Sequence, residues 1–207
     1  MTDLLEHLRQ EVLLCDGAMG SRVQQADLDI EIDYWGQENC TEILNLSRPD
    51  IVREIQAGFV AAGSDILLTN TFGGSPITLA EFDLQDKTHE INKRAGELAR
   101  EALGEFHRDG ISRYVLGDIG PGTKLPSLGQ IDYDELEAAL AAQSAGLLAG
   151  GVDGIMIETV QDILQLKAAV NGARMAMAEA GRQVPLLTQI TVETTGTMLV
   201  GTDIAGA

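Results

Sequence analysis

Apolar residues along this chain fall into two rhythms. Short unbroken runs, at 12–15, 66–68, 114–116, 154–157 and 186–190, alternate with longer stretches in which apolar positions recur every three or four residues. Runs that short, bounded by Gly, Pro or polar residues, predict strands buried on both faces. The periodic stretches predict amphipathic helices. One carries Ile51, Ile55, Phe59 and Ala62 behind the start signals Ser47, Pro49 and Asp50, and the next carries Ile91, Ala95, Leu98 and Ala102. A third, opened by Asp132 and Asp134, carries Leu136, Leu140, Ser144 and Leu147. The fourth runs through Ile163, Leu166, Val170, Ala173 and Met177 and stops at Gly181, just before Pro185. Residues 201–207 read as the opening of a fifth helix. Such strand–helix alternation predicts a parallel sheet with helices packed on it.

The polar residues that end the runs decide between α/β architectures. Asp16, Asn70, Asp118, Glu158 and Gln189 each follow an apolar run at its C-terminal end. In a (βα)8 TIM barrel those ends converge on one face, where ligands bind, whereas a doubly wound sheet concentrates polar groups at one switch point. An internal echo agrees: Ala62-Gly63-Ser64-Asp65 leads into a strand ending Asn70-Thr71, and Gly150-Gly151-Val152-Asp153 into one ending Glu158-Thr159. The expected fold is therefore a (βα)8 barrel. At roughly 41 residues per unit, eight units need about 330 residues. Residues 1–207 are accordingly expected to hold about the first five βα units, the N-terminal portion of one barrel domain, incomplete at the C-terminus.

Composition narrows the function classes. Fourteen Lys and Arg against 32 Asp and Glu give a formal charge of −18. That argues against nucleic acid or an anionic membrane as partner, because both need clustered cations. With 44% hydrophobic and 22% charged residues the chain is expected to fold. Two cysteines exclude a disulfide-stapled secreted scaffold, and the N-terminus carries no signal-peptide pattern. No run approaches the roughly 18 apolar residues of a membrane span. A soluble, cytoplasmic protein is the expectation.

Candidate chemistry is sparse. Cys15 and Cys40, with His7, His89 and His107, form no metal-ligand spacing; Cys15 reads as a buried strand residue, Cys40 as a loop thiol and the histidines as solvated. Gly117 to Gly122 is glycine-rich after a strand but lacks the spacing of a phosphate loop, and Asp118 would repel an anion, so it reads as a tight turn. No serine sits in a nucleophile elbow. Asp16 and Glu158 stand out. Each is a lone carboxylate directly after a buried run, where ionisation is costly without a partner. A ligand ammonium would compensate both; alternatively each caps a helix or pairs with an arginine such as Arg22.

Several segments carry a resemblance. Asp16-Gly-Ala-Met-Gly-Ser21, Asn45-Leu-Ser-Arg-Pro-Asp50, Thr69-Asn-Thr-Phe-Gly73 and Ile157-Glu-Thr-Val-Gln-Asp162 resemble motifs of the homocysteine S-methyltransferase family, in the family's order. Gly120-Pro-Gly-Thr-Lys-Leu-Pro-Ser-Leu-Gly129 and Thr191-Val-Glu-Thr-Thr-Gly-Thr-Met-Leu-Val-Gly201 are similar to its cobalamin-dependent branch. The resemblance implies a (βα)8 barrel that binds homocysteine and methylates its sulfur to give methionine. It implies methylcobalamin as donor on a separate module of a longer chain, recharged by a folate module. It implies a zinc ion, held by three cysteines, that binds and deprotonates the substrate thiol. On the family's pattern Asp16 and Glu158 hold the amino-acid end of homocysteine, Gly17 and Ala18 line the same pocket, and Asn70 and Thr159 join the substrate-binding set.

There are departures from that pattern. The zinc cysteines follow the fifth strand in the family, so they are expected beyond residue 207, and Cys15 and Cys40 match neither position nor neighbours. Without them this chain is expected to be inactive alone, with no catalytic or metal residue of its own. Leu68 stands where relatives often carry Glu, and Asp118 where the residue is usually small and polar. Two other readings remain: a cobalamin-independent relative that draws its methyl group from betaine or a sulfonium, and a short amino-acid-binding protein without catalysis.

Overall fold

The structure is a computed structural model, and it describes residues 3–106 and 110–207. Four strands, β1 (Ile66–Leu68), β2 (Tyr114–Ile119), β3 (Gly154–Val160) and β4 (Leu186–Ile190), form one sheet in chain order. All pairs are parallel, with Leu67 opposite Val115, Asp118 opposite Met156 and Ile155 opposite Leu186. The helices are α1 (Leu4–Gln10), α2 (Met19–Val23), α3 (Leu44–Ser47), α4 (Pro49–Ala61), α5 (Pro76–Leu79), α6 (Thr88–Gly104), α7 (Tyr133–Ala149) and α8 (Ile163–Ala180). Each parallel pair is joined through a long helix: α6 links β1 to β2, α7 links β2 to β3, and α8 links β3 to β4. Sequential parallel strands with a helix in every crossover make an arc of a βα barrel.

Local chemistry sets the helix limits. Pro49 occupies the first turn of α4, where its missing N–H is no loss. The Asp162 side chain caps α8 by accepting from the Leu164 N–H, and the helix ends on Gly181, whose φ of +61° suits glycine. β1, β2 and β3 are mostly buried on both faces, as their apolar runs predict, whereas β4 has no buried residue and leaves Thr188 and Gln189 exposed. Leu67, Val115, Ile119, Ile155 and Ile157 pack with Leu140, Leu147, Ala173 and Met177 of the helices. Ile66, Tyr114, Leu116 and Met156 form a second cluster with Leu4 of α1.

The structure departs from the sequence expectation in five further places. The run at 12–15 makes only one bridge, Cys15 with Ile66, although the Ile66 N–H donates to Leu14 O and the Asp16 N–H to Ile66 O. It lies at the edge of the sheet, paired on one side, so Val12 (88% exposed) and Cys15 are open to solvent and Cys15 is not a buried strand residue. Cys40 is the buried thiol, packed with Ile43, Leu79, Leu84 and Ile91. Strand β2 runs on through Gly117 and Asp118 to Ile119, where a turn was expected. Residues 201–207 form a turn, not a helix, because the Asp203 side chain takes the Gly206 N–H. His7 is tied to the Tyr114 hydroxyl at 3.0 Å instead of being solvated; His89 is exposed, and His107 lies outside the described residues. No described helix is long and apolar enough to cross a membrane.

Candidate functional site

A cavity of about 590 Å³ opens where the C-terminal ends of β1, β2 and β3 meet the segment after Cys15. It brings together Asp16, Gly17, Ala18, Asn70, Asp118 and Glu158, along with Glu42, Thr41, Thr69, Thr71 and Phe72. Gln189 is exposed on β4 and does not reach it, and Thr159 lies outside its lining. Among the described residues no lysine or arginine lines the cavity. Arg22 turns away, donating to Gln25 Oε1 at 3.1 Å, so it does not neutralise Asp16.

Each acidic group is set by backbone. The Leu68 N–H, on the side of β1 that faces residues 14–16, donates to Asp16 Oδ2 at 3.0 Å. Asp16 Oδ1 is buried with no hydrogen-bond partner. Burial raises the Asp16 pKa to about 7, against the lowering effect of the Leu68 and Asp16 N–H groups and with a further push from the Glu158 charge. Glu158 sits at an irregularity of β3, where the register with β4 shifts between Ile157 and Val160. Thr159 makes the bend. Its φ of +57° is strained for a β-branched residue, and its hydroxyl donates to Glu158 Oε2 at 3.1 Å. Bulges of this kind re-aim a side chain, here the Glu158 carboxylate toward the cavity.

Asp118 lies within β2 and is only 5% exposed. Its N–H donates to Thr69 Oγ1 at 2.9 Å, its C=O accepts from Thr71 Oγ1 at 2.7 Å, and its Oδ1 has no partner. Burial, then the charge of Glu158, drives its pKa well above the usual carboxylate value. Asn70 braces the wall: its amide donates to Thr41 O at 2.7 Å, and Asn45 donates back to Asn70 O at 2.8 Å. Gly17 and Ala18 offer main chain to the cavity; a Cβ on Gly17 would come 2.9 Å from the Phe59 ring.

Sequence reasoning missed Glu42. It follows Cys40 in an irregular stretch with no periodicity to mark it, yet it is buried and accepts from the Gly73 N–H at 2.6 Å. Burial raises its pKa too. The cavity is thus acidic and, among the described residues, lined by no Lys or Arg, which suits a cationic group delivered by a ligand.

The described residues do not fit the zinc ion that the resemblance implies. They contain no group of three or more His, Cys, Asp or Glu able to hold a metal. A zinc-ligating thiol must ionise, whereas burial and then the neighbouring Glu42 push the Cys40 thiol up to about 12, and Cys15 stands apart on the sheet edge.

Comparison with known proteins gives three concordant findings. Residues 13–207 match the family model for homocysteine S-methyltransferase. The chain is 47% identical over 206 residues to the methionine synthase of Mycobacterium leprae (strain TN), and 46% identical over 206 residues to that of Mycobacterium tuberculosis (strain ATCC 25618 / H37Rv). Both matches take in 100% of this chain but 17% of the relative, so the chain spans about a sixth of the length of these proteins. Among solved structures it is similar to the homocysteine methyltransferase MmuM from Escherichia coli in its metallated form, with TM-score 0.78 at 18% identity, covering 98% of this chain and 71% of that one. The oxidized form gives TM-score 0.78 over 99% and 70%. At that identity the likeness is one of fold, and the four-stranded arc is that of a partial TIM barrel.

Proposed function

The chain belongs to the homocysteine S-methyltransferase family, and on that premise we propose that it binds homocysteine by its amino-acid end and presents the thiol for methylation to methionine. One observation carries this reading: carboxylates converge on a cavity without a lining cation, and a buried Asp16 Oδ1 is left without a partner. An α-ammonium supplies both the charge and the donors that the cavity lacks. Asp16 and Glu158 receive it, Thr159 holds Glu158 in place, Gly17 and Ala18 let the ligand approach main chain, and Asn70 keeps the wall rigid.

The sulfur chemistry lies outside these residues. When bound, a zinc ion would take the substrate sulfur as thiolate, the nucleophilic form, from a thiol that is mostly protonated at neutral pH. Its three cysteines would belong beyond residue 207 on the family's pattern. Methylcobalamin as donor, and a folate module that recharges it, are proposed for the longer protein on the strength of the segments at 120–129 and 191–201. A cytoplasmic setting accompanies this reading.

Calorimetric titration with L-homocysteine and with N-acetyl-L-homocysteine tests the proposal. The free amino acid should bind, and the acetylated compound, which has lost the ammonium, should bind at least about tenfold more weakly. Equal affinity for the two would overturn it.

A further inference from the structure

Asp118 is not needed for the reading above, and its surroundings demand an explanation. It faces the cavity, is 5% exposed, and has a side-chain oxygen with no partner. The charged groups that act on it are acidic: Glu158 from β3, Asp16 from the end of the edge segment that bridges to β1, and Glu42 from the turn at Thr41–Ile43. The helix behind it, α7, contributes only the neutral Gln143, whose amide reaches Asp118 O at 3.3 Å. From the end of β1 come the hydroxyls of Thr69 and Thr71, both engaged with its main chain or with each other. With only acidic charges around it, a buried Asp118 is costly to ionise.

We propose that Asp118 is a further ligand-binding residue: a carboxylic acid that offers its proton to Glu158 in the empty cavity and releases that proton to solvent when a primary ammonium enters. The charge balances, since one H⁺ leaves as one R–NH₃⁺ arrives, and the ionised Asp118 then accepts a hydrogen bond from the ammonium. This rests on the reading of the cavity as an amino-acid site. Burial and the charge of Glu158, which hold the Asp118 pKa well above the ordinary range, support it.

The consequence is measurable as protons released per ligand bound. L-Methionine serves as probe, because it carries the same α-ammonium and no ionisable thiol. The protein at its full natural length is titrated calorimetrically at about pH 8 in buffers of different ionisation enthalpy. Asp16, at about 7, is by then about nine-tenths ionised and contributes roughly 0.1 proton. The wild type should therefore release about one proton, and Asp118→Asn and Asp118→Ser about 0.1 each while still binding. Binding by the wild type with release below about 0.3 proton overturns the proposal and leaves the amino-acid site standing. Variants that release as much as the wild type overturn it equally. If neither variant folds, the wild-type count alone decides. Absence of L-methionine binding removes the reading of the cavity, and the proposal with it.

Discussion

Asp16→Asn should make the protein more stable at neutral pH while abolishing its ligand. Asp16 has its pKa raised from 3.8 to about 7, chiefly by burial. Between about pH 4 and pH 7 the unfolded chain has this carboxylate ionised while the folded chain keeps it protonated, so folding binds a proton and stability falls as pH rises. The full stabilising contribution of the protonated form is present below about 4 and is gone above about 7. A shift of roughly three units corresponds to about 4 kcal/mol lost by pH 8. An asparagine has no charge to bury. Its oxygen can keep the Leu68 N–H that Asp16 Oδ2 now accepts, and its amide would occupy the place of the unpartnered Oδ1. A buried amide donor without a good acceptor costs about 1–3 kcal/mol, which leaves a net gain of about 1–3 kcal/mol at pH 8. Urea unfolding followed by the fluorescence of Trp35, the only tryptophan of the chain, measures this at pH 8 and again at about pH 4.5. The advantage of the variant should shrink towards zero or reverse at the lower pH. A variant less stable than wild type at pH 8, or an advantage independent of pH, would refute the account of Asp16 as a destabilised group held for a ligand.

Three further outcomes are expected. Affinity for homocysteine should rise at least about tenfold from pH 6 to pH 8, as the ionised fraction of Asp16 climbs through its pKa of about 7, and a proton released from Asp118 steepens that rise; a flat calorimetric profile would contradict the ammonium contact. Gly150→Ala should cost about 2 kcal/mol or more, because an added Cβ would meet Lys93 O, a backbone atom, at 2.5 Å and force α6 from α7. Gly150 has φ of −73°, so alanine suits its backbone and the effect is steric; a urea midpoint unchanged within error would count against the close helix crossing. Equilibrium dialysis of residues 1–207 against zinc should retain no stoichiometric metal, and EDTA should leave the Tm unchanged, since the described residues hold no metal-binding group; one-to-one retention would show that ligands were overlooked.

Much of the fold was legible because its signals are local. The long helices carry their own period and caps, and β1, β3 and β4 are runs bounded by polar residues. The errors fall where neighbours decide. Residues 12–15 are as apolar as the other runs, but with pairing on one side only they form a single bridge and stay exposed. Cys15 and Cys40 exchanged their expected environments for the same reason: the apolar run lies at the edge, while the irregular segment around Cys40 is covered by Leu79, Leu84 and Ile91. Asp118 hid the end of β2, since a charge after Gly117 reads as a turn until the sheet shows it buried. Asp16, Asn70 and Glu158 were visible by position alone, each at the end of a run. Glu42 was not, because nothing in its sequence neighbourhood marks a buried acid, and the contribution of Thr159 lies in a backbone angle.

Several of the places where local rules fail gather at the cavity. Asp118 breaks the apolar pattern of β2, Thr159 takes a backbone conformation that disfavours its own side chain, and Asp16, Glu42 and Asp118 are buried at the expense of their ionised forms. Other departures, such as the exposed run at 12–15, are scattered, whereas these share one end of the sheet. A fold gains nothing in stability from these choices: an apolar residue at 118 would leave no stranded oxygen, and a neutral residue at 16 would remove a charge penalty. On the proposed reading, what unites them is the need for a cation. An entering ammonium would give the unpartnered oxygens of Asp16 and Asp118 donors and the carboxylates a counter-charge, so that the strain of the empty site would become affinity in the filled one.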